Sequence, residues 1–279
     1  MKIVVTGAKG MVARAAAEYC RSIGDGVSAL SREELDIANI KSVETVLNEL
    51  KPDALLNCAA YTNVDGAETD KQLSYDANAT GVENLATVCK EIDSRFVTIS
   101  TDYVFDGTKT DFYTQRDTPQ PKGVYAMTKY YGELLARTTY ARSIIVRSGW
   151  IFGKGGTNFL SVVDRLLAEG KEITAIANAY GTPTYASDLA RRLRELAELD
   201  LPGVYHVTNA GEGTTYLGFA EKVCEIGGYD KNLVKPTSMS DLKRTAPRPV
   251  SSKLACLFSE RLGLARLPAW QDALSRHLS

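Results

Sequence analysis

From residue 1 to about 150, short β-branched apolar runs alternate with amphipathic helical periods, and this alternation limits the folds open to the chain more than any other feature. The strand candidates are Lys2 to Thr6, Val27 to Leu30, Ala54 to Ala59, Phe96 to Ser100 and Ser143 to Arg147. Between them, Val12/Ala16/Tyr19/Ile23, Ile40/Val43/Leu47/Leu50 and Val82/Leu85/Cys89/Ile92 recur at three- or four-residue spacing, the period of a helix with one apolar face. Strands that are hydrophobic throughout, separated by helices, form a parallel sheet covered on both faces. The expected fold class is therefore α/β, doubly wound.

Beyond Trp150 the alternation loosens. Phe159 to Leu167 and Leu189 to Leu199 read helical, Ile173 to Ala177 and Val204 to Val207 read as strands, and two helices follow around Tyr216 to Ile226 and Pro268 to Leu278. We expect residues 1–150 to form a dinucleotide-binding domain. Residues 151–279 should form a smaller α/β lobe that makes substrate contacts and returns one or more elements to the first domain.

A formal net charge of −1 creates no field that would recruit nucleic acid or an anionic membrane, so neither is an expected partner. The five cysteines are odd in number, widely spaced and set in apolar runs, as reduced core residues are. No metal-ligand spacing is present. The start, MKIVVTGAKG, enters a strand with no apolar stretch long enough for a signal peptide or a membrane span, so a cytoplasmic protein is expected.

Gly7, Gly10 and Ala13 follow the first strand and open the first helix, as a Rossmann dinucleotide fingerprint requires. Gly7 permits the turn, Gly10 lets backbone approach a pyrophosphate, and Ala13 allows close helix packing. At the end of strand two, where NAD-binding folds place an acid on the ribose, stand Ser31 and Arg32. Arg32 either pairs with the 2′-phosphate of NADP or is a solvated charge beside Glu33 and Glu34; the expectation is NADPH, with NADH also usable. Asp36 and Ile37 could border the adenine, and the small residues Ala59 and Ala60 at a strand end leave room for a cofactor.

With only two histidines, His206 and His277, imidazole is a poor candidate for the general acid. Tyr125 and Lys129, at i and i+4, share a helix face instead. A phenol titrates near 10, and adjacent positive charge from the lysine and an oxidised nicotinamide would lower that value enough for proton exchange. Thr101, at the end of the strand Phe96 to Ser100, would face the same cleft and hydrogen-bond the phenol.

The motifs GAKGMVA, LDI (Leu35 to Ile37), NCAAYTNVDGAE (Asn57 to Glu68), NATG (Asn78 to Gly81), STDYVFDG (Ser100 to Gly107), VYAMTKYYGE (Val124 to Glu133), VRSGWIFG (Val146 to Gly153) and YGTPTY (Tyr180 to Tyr185) appear in one order along most of the chain. In this set the chain resembles the dTDP-4-dehydrorhamnose reductase family of extended short-chain dehydrogenases. The resemblance implies hydride transfer to the C4 keto group of a nucleotide-linked 4-keto-6-deoxy sugar. Tyr125 would be the proton donor, Lys129 would hold the nicotinamide ribose and depress the phenol's pKa, and Thr101 would orient the carbonyl. It further implies cofactor contacts at Met11, Val12, Tyr61, Thr62, Asn78 and Ile99, and sugar contacts at Val64, Asp102, Tyr103 and Trp150, the indole offering a face and one donor. The implied partners are a small-molecule nucleotide sugar and, at the level of assembly, a second copy of the chain; Mg2+ is left open.

The chain departs from the family pattern at Ser148-Gly149, where Thr-Ser is usual, and at Asn178-Ala179-Tyr180-Gly181, where a glutamine is common. Lys154, Arg244 and Arg248 are weak candidates for the substrate diphosphate. A dehydratase of the same superfamily would carry a glutamate where Tyr103 stands, which favours simple reduction, with another 4-ketoreductase or an epimerase as the enzymatic alternative. A non-catalytic regulatory subunit, of the kind that binds methionine adenosyltransferase, is the alternative from another class.

Overall fold

The structure, a computed structural model, describes residues 1–279. The first half lays down β1 (Lys2–Thr6), α1 (Met11–Ser22), β2 (Gly26–Leu30), α2 (Ile40–Leu50) and β3 (Ala54–Asn57). Helix α3 (Lys71–Tyr75) then runs through a π turn at Asp76–Thr80 into α4 (Gly81–Glu91), followed by β4 (Arg95–Thr101), α5 (Val124–Thr139) and β5 (Ile144–Ser148). The second half contains β6 (Ile151–Phe152), α6 (Phe159–Ala168), β7 (Ile173–Ile176), β8 (Tyr180–Gly181), β9 (Thr184–Tyr185), α7 (Ala186–Leu199), β10 (Gly203–His206), β11 (Thr214–Thr215), α8 (Tyr216–Gly227), β12 (Val234–Thr237) and α9 (Trp270–Leu278).

Six strands form one sheet in the order β10-β5-β4-β3-β1-β2, every pair parallel. Alternation along the strands divides the side chains between two cores. Ile3, Val5, Leu56, Val97 and Val146 face α1 and α7, whereas Val4, Leu55, Phe96 and Ile145 face α2, α4 and α5. Each such side chain, fully buried, contributes about 1.5–3 kcal/mol of transfer free energy. The chain reverses direction of winding between β1 and β3, and the crevice at the carboxyl ends of these strands is where doubly wound sheets hold ligands. A side-chain rung crosses the sheet just below it: Thr6 Oγ1 donates to Asn57 Oδ1 at 2.6 Å, and Asn57 Nδ2 donates to Thr98 Oγ1 at 2.9 Å.

Helix α7 and strand β10 come from the second half yet complete the sheet's first layer and its edge. The remaining second-half elements build their own core, in which Phe152, Val163, Phe219, Val223 and Trp270 interlock. No helix is long and apolar enough to cross a membrane.

Two local features depart from the periodicity. The strand expected over Ala54 to Ala59 ends at Asn57, because the Ala59 amide turns to Thr6 Oγ1 and Asn57 Oδ1, both at 3.2 Å, and leaves the ladder. The π turn has no apolar signature; it brings Asn78 inward and packs on α5 at Gly132, where a Cβ would lie 2.1 Å from the Asn78 carbonyl oxygen. Gly132→Ala is accordingly expected to destabilise the protein by about 1–3 kcal/mol, the cost of overpacking a site whose neighbour is backbone. A urea titration checks this, and an unchanged midpoint would mean that the two helices separate freely.

Candidate active site

Gly7 adopts a φ of +73°, and a Cβ there would come within 2.9 Å of Ala59 Cα, so the turn after β1 is closed to other residues. Gly10 is the N-cap of α1 and offers no side chain to its first amides. A helix N-terminus with open N–H groups and no capping group suits an anion such as a pyrophosphate. Arg14 secures this loop from below, donating to the Lys9 carbonyl at 3.0 Å and to the Gly155 carbonyl at 2.9 Å. Lys9, Gly10, Met11 and Val12 line a cavity of about 770 Å3 that continues to the sheet's carboxyl edge.

Ser31, Arg32, Asp36 and Ile37 lie outside this cavity: Ser31, Arg32 and Asp36 are at the surface past the end of β2, and Ile37 is buried in the core. The Arg32 guanidinium is exposed, 3.9 Å from Asp36. The Asp36 carboxylate is turned onto its own backbone, accepting from the Ala38 amide at 3.2 Å. Thr62 and Val64 line the cavity, as does Cys58, whereas Ala59, Ala60 and Tyr61 between them do not. Asn78, expected at the cofactor, is fully buried: its side chain accepts from the Tyr61 amide at 2.9 Å and donates to the Tyr61 carbonyl at 3.0 Å. It fixes the Tyr61 segment and does not face the cavity.

The expected reactive residues converge. Thr101 ends β4, and Tyr125 lies in the first turn of α5 with its phenol at the cavity wall. The helix carries no N-cap side chain of its own; Glu68 Oε1, from the 3-10 turn that follows β3, accepts from the Val124 amide at 2.8 Å. Burial pushes the Tyr125 phenol up to about 12; the nearby Thr101 hydroxyl opposes the shift and the Asp102 charge adds to it. Lys129, expected to act on the phenol together with an oxidised nicotinamide, lies one helical turn on from Tyr125. Its ammonium is buried below the cavity floor and donates to the Ile99 carbonyl at 2.7 Å, which brings Ile99 into contact with it. Desolvation lowers Lys129 to about 8, against an upward pull from Glu133 and Cys58.

Thr101 Oγ1 donates to Asp102 Oδ1 at 3.1 Å and accepts from the Tyr103 amide at 3.2 Å. Asp102 is buried, with Oδ2 unpartnered, and burial raises it to about 6 despite the adjacent Ser252 and Thr101 hydroxyls. Gly149 makes this seat: a Cβ there would stand 2.2 Å from Asp102 Cγ. The Ser148-Gly149 departure thus bears directly on how Asp102 sits.

Trp150 lines the cavity, as expected of a residue against the sugar site. Its Nε1 donates to Ser252 Oγ at 3.3 Å, one ring face stacks on Tyr216 with centroids 4.0 Å apart, and Gly181 lies against the pyrrole ring, where a Cβ would be 2.0 Å from Nε1. The indole's donor and one face are therefore engaged by the protein, and Trp150 and Tyr216 line the cavity together. Trp150 has a φ of +52°, a left-handed conformation that costs a bulky residue of order 1–3 kcal/mol and recurs at functional sites. Tyr103 lines the same cavity, edge-on to Tyr125 at 6.1 Å between centroids. Among the diphosphate candidates, Arg244 lines the cavity, Lys154 does not, and Arg248 is held by Asp65 at 2.7 Å. Tyr216 and Ser252 had no signal in the sequence, since each reaches the site from a distant segment; Glu68 ends one of the motifs, but its cap on α5 was not legible there.

A family model described as the RmlD substrate binding domain matches residues 1–279. The chain belongs to this family. A dTDP-4-dehydrorhamnose reductase of Mycobacterium tuberculosis is 34% identical over 287 residues, spanning 100% of this chain and 92% of the relative. Another of the same name from Streptomyces griseus is 36% identical over 282 residues, spanning 98% and 91%. Among solved structures, the dTDP-4-dehydrorhamnose reductase of Bacillus anthracis in complex with NADP superposes with a TM-score of 0.95 at 34% identity, covering 99% of each chain. The six-stranded parallel architecture described above is thus that of the RmlD substrate binding domain family.

The Gly149 seat predicts a coupled pair. Gly149→Ala should destabilise the protein by about 1–3 kcal/mol by displacing the Asp102 carboxyl. In Gly149→Ala/Asp102→Ala much of that loss should disappear, a non-additivity read from urea denaturation of the four proteins; additive losses would show that the two residues do not share the space.

Proposed function

We propose that this protein reduces the C4 keto group of a nucleotide-linked 4-keto-6-deoxy sugar with NADPH, converting dTDP-4-dehydro-L-rhamnose to dTDP-L-rhamnose, a precursor for cell-surface polysaccharide. The observation that carries this reading is the meeting of Thr101, Tyr125 and Lys129 at one end of a cavity whose other end is the uncapped N-terminus of α1. Relatives that match over nearly the whole chain bear the reductase name, and a solved relative holds NADP.

The backbone at Gly10, Met11 and Val12 would hold the cofactor's pyrophosphate, and Lys129 would hold the nicotinamide ribose. When bound, the reduced nicotinamide supplies the hydride. The protein's part is to deliver a proton to the carbonyl oxygen. A phenol pushed up to about 12 stays protonated at neutral pH, the form that a proton donor needs. The alkoxide left by hydride addition is a stronger base than a phenolate, so transfer from Tyr125 is downhill. Thr101 can orient the carbonyl by rotating its O–H away from Asp102. Lys129 has one N–H committed to Ile99 and two more to offer. Arg32, exposed at the end of β2, would meet the 2′-phosphate of NADPH. Tyr103, buried and held well above the ordinary phenol range by burial, offers no additional acid/base group for the elimination of water, which separates this reading from a dehydratase.

Substrate-dependent NADPH oxidation, followed by absorbance with dTDP-4-dehydro-L-rhamnose, tests the reading, and Tyr125→Phe should lower kcat by roughly 10²- to 10⁴-fold. No oxidation by the parent protein, or equal rates in the variant, would contradict it. Because Lys129 acts as an ammonium and titrates at about 8, kcat/KM for NADPH should be constant below that pH and fall as the pH rises through it. Arg32→Ala should raise KM for NADPH roughly tenfold, as loss of a charged hydrogen bond would, with little change for NADH; equal effects on the two would remove Arg32 from the 2′-phosphate.

A further inference from the structure

Beneath the reactive residues lies an ion pair that the proton transfer does not use. Glu133 follows Tyr125 and Lys129 at the next i+4 position, so all three share one face of α5. Its carboxylate is 3% exposed and fully engaged. Arg147 Nη2 donates to Oε2 at 2.6 Å and Arg147 Nε donates to Oε1 at 2.9 Å, while Ser100 Oγ donates to Oε1 at 2.5 Å. Arg147 is itself 5% exposed, its guanidinium carbon 5.2 Å from the centre of the Phe105 ring. Taking two charges out of water carries a desolvation cost that apolar residues of the same volume would not, so a buried pair is poor evidence for stability and better evidence for specificity of placement.

Three consecutive residues of β4 meet the three residues of this helix face. The Ile99 carbonyl takes the Lys129 ammonium, the Ser100 hydroxyl takes Glu133, and Thr101 neighbours the Tyr125 phenol. Arg147 closes the arrangement from the neighbouring strand, opposite Ser100 in the parallel register. Along the border of the same face, Gly132 seats against the Asn78 carbonyl, so α5 can neither rotate nor slide without breaking one set of contacts.

We propose that Glu133, clamped by Arg147 and Ser100, is the positioning residue for Lys129, fixing the rotation and register of α5 that bring the ammonium under the nicotinamide ribose site. This rests on the reductase reading for the identity of the ribose, but the geometry is that of the protein alone. Lys129 and Glu133 form no direct ion pair; the carboxylate acts on the lysine through space, one turn away. The titratable groups that act on Lys129 are Glu133 from its own helix and the Cys58 thiol from the end of β3, which burial holds at about 12 and therefore uncharged. From β4 come only the Ile99 carbonyl and the Ser100 hydroxyl, and from β5 Arg147, which faces Glu133. Removing the carboxylate takes away the larger of the two influences that oppose desolvation of the lysine.

The test is a pH titration of Lys129 in the protein without ligands, by NMR of lysine-labelled protein with the resonance assigned from Lys129→Gln, alongside direct NADPH binding by fluorescence. Two variants are compared: Glu133→Gln, and Glu133→Leu/Arg147→Met, which replaces the pair with apolar groups and is expected to melt near the parent. In both, Lys129 should titrate about one pH unit lower, and NADPH binding at pH 8 should weaken about fivefold as the charged fraction falls from one half to one eleventh. Glu133→Asp should restore part of each. Unchanged Lys129 titration and unchanged NADPH binding in the double variant would overturn the proposal, and so would loss of folding in both variants, which would make the pair a requirement of the fold. Because the titration needs neither substrate nor turnover, its failure is distinct from a failure of the reductase reading.

Discussion

Helix α5 buries a lysine and a glutamate, beside a half-buried tyrosine, on the face that a helix in this position would ordinarily fill with apolar side chains. Everything around it accommodates that face. Strand β4 ends by supplying a carbonyl and two hydroxyls, β5 supplies an arginine, and the π turn before α4 brings a carbonyl so close that only glycine fits opposite. A buried ammonium and a buried carboxylate are tolerable because each has partners, and the partners are backbone or strand side chains whose positions the sheet determines. The sheet holds the polar face in place, and the polar face sets where the chemistry can occur.

A second constraint acts on the substrate side. Trp150 sits in left-handed backbone directly after Gly149, with its indole held between Gly181 and Tyr216 and its N–H on Ser252. Such a conformation persists only where neighbouring contacts over-determine it. One consequence is that Asp102 occupies the volume a side chain at 149 would need, and another is that Tyr216, contributed by the second half of the chain, joins Trp150 in an aromatic wall of the cavity. Residues from both halves of the chain thereby build one wall.

Much of the doubly wound architecture was legible because it depends on local periodicity: Ile3/Val5 and Leu56 on one face, Val4 and Leu55 on the other, each strand followed by an amphipathic helix. Thr101, Tyr125 and Lys129 were legible for the same reason, a strand end and an i, i+4 pair. What escaped was whatever depends on contacts distant in sequence. Asn78 appeared to be a cofactor residue because it lies in a motif, yet three-dimensional packing turns it onto Tyr61. Tyr216 stands far along the chain from the indole it covers, and strand β12, with Lys235 and Pro236 at its centre, carries no strand signal and forms by pairing with β7. Helix spacing also places Lys129 and Tyr125 on one face without saying which way each side chain turns. The ammonium points to Ile99, and the phenol is governed by burial, Thr101 and Asp102.

The central claim is that the chain performs a net reduction at C4 of its sugar, with hydride from the nicotinamide and the proton from the protein. Incubation of the enzyme with dTDP-4-dehydro-L-rhamnose and NADPH carrying deuterium at nicotinamide C4, followed by proton NMR of the product, tests it most directly. The account predicts one stereoisomer of dTDP-L-rhamnose bearing deuterium at sugar C4, formed in step with cofactor oxidation. A product with hydrogen at C4 from either cofactor face, or conversion of the sugar without net consumption of the cofactor, would contradict it.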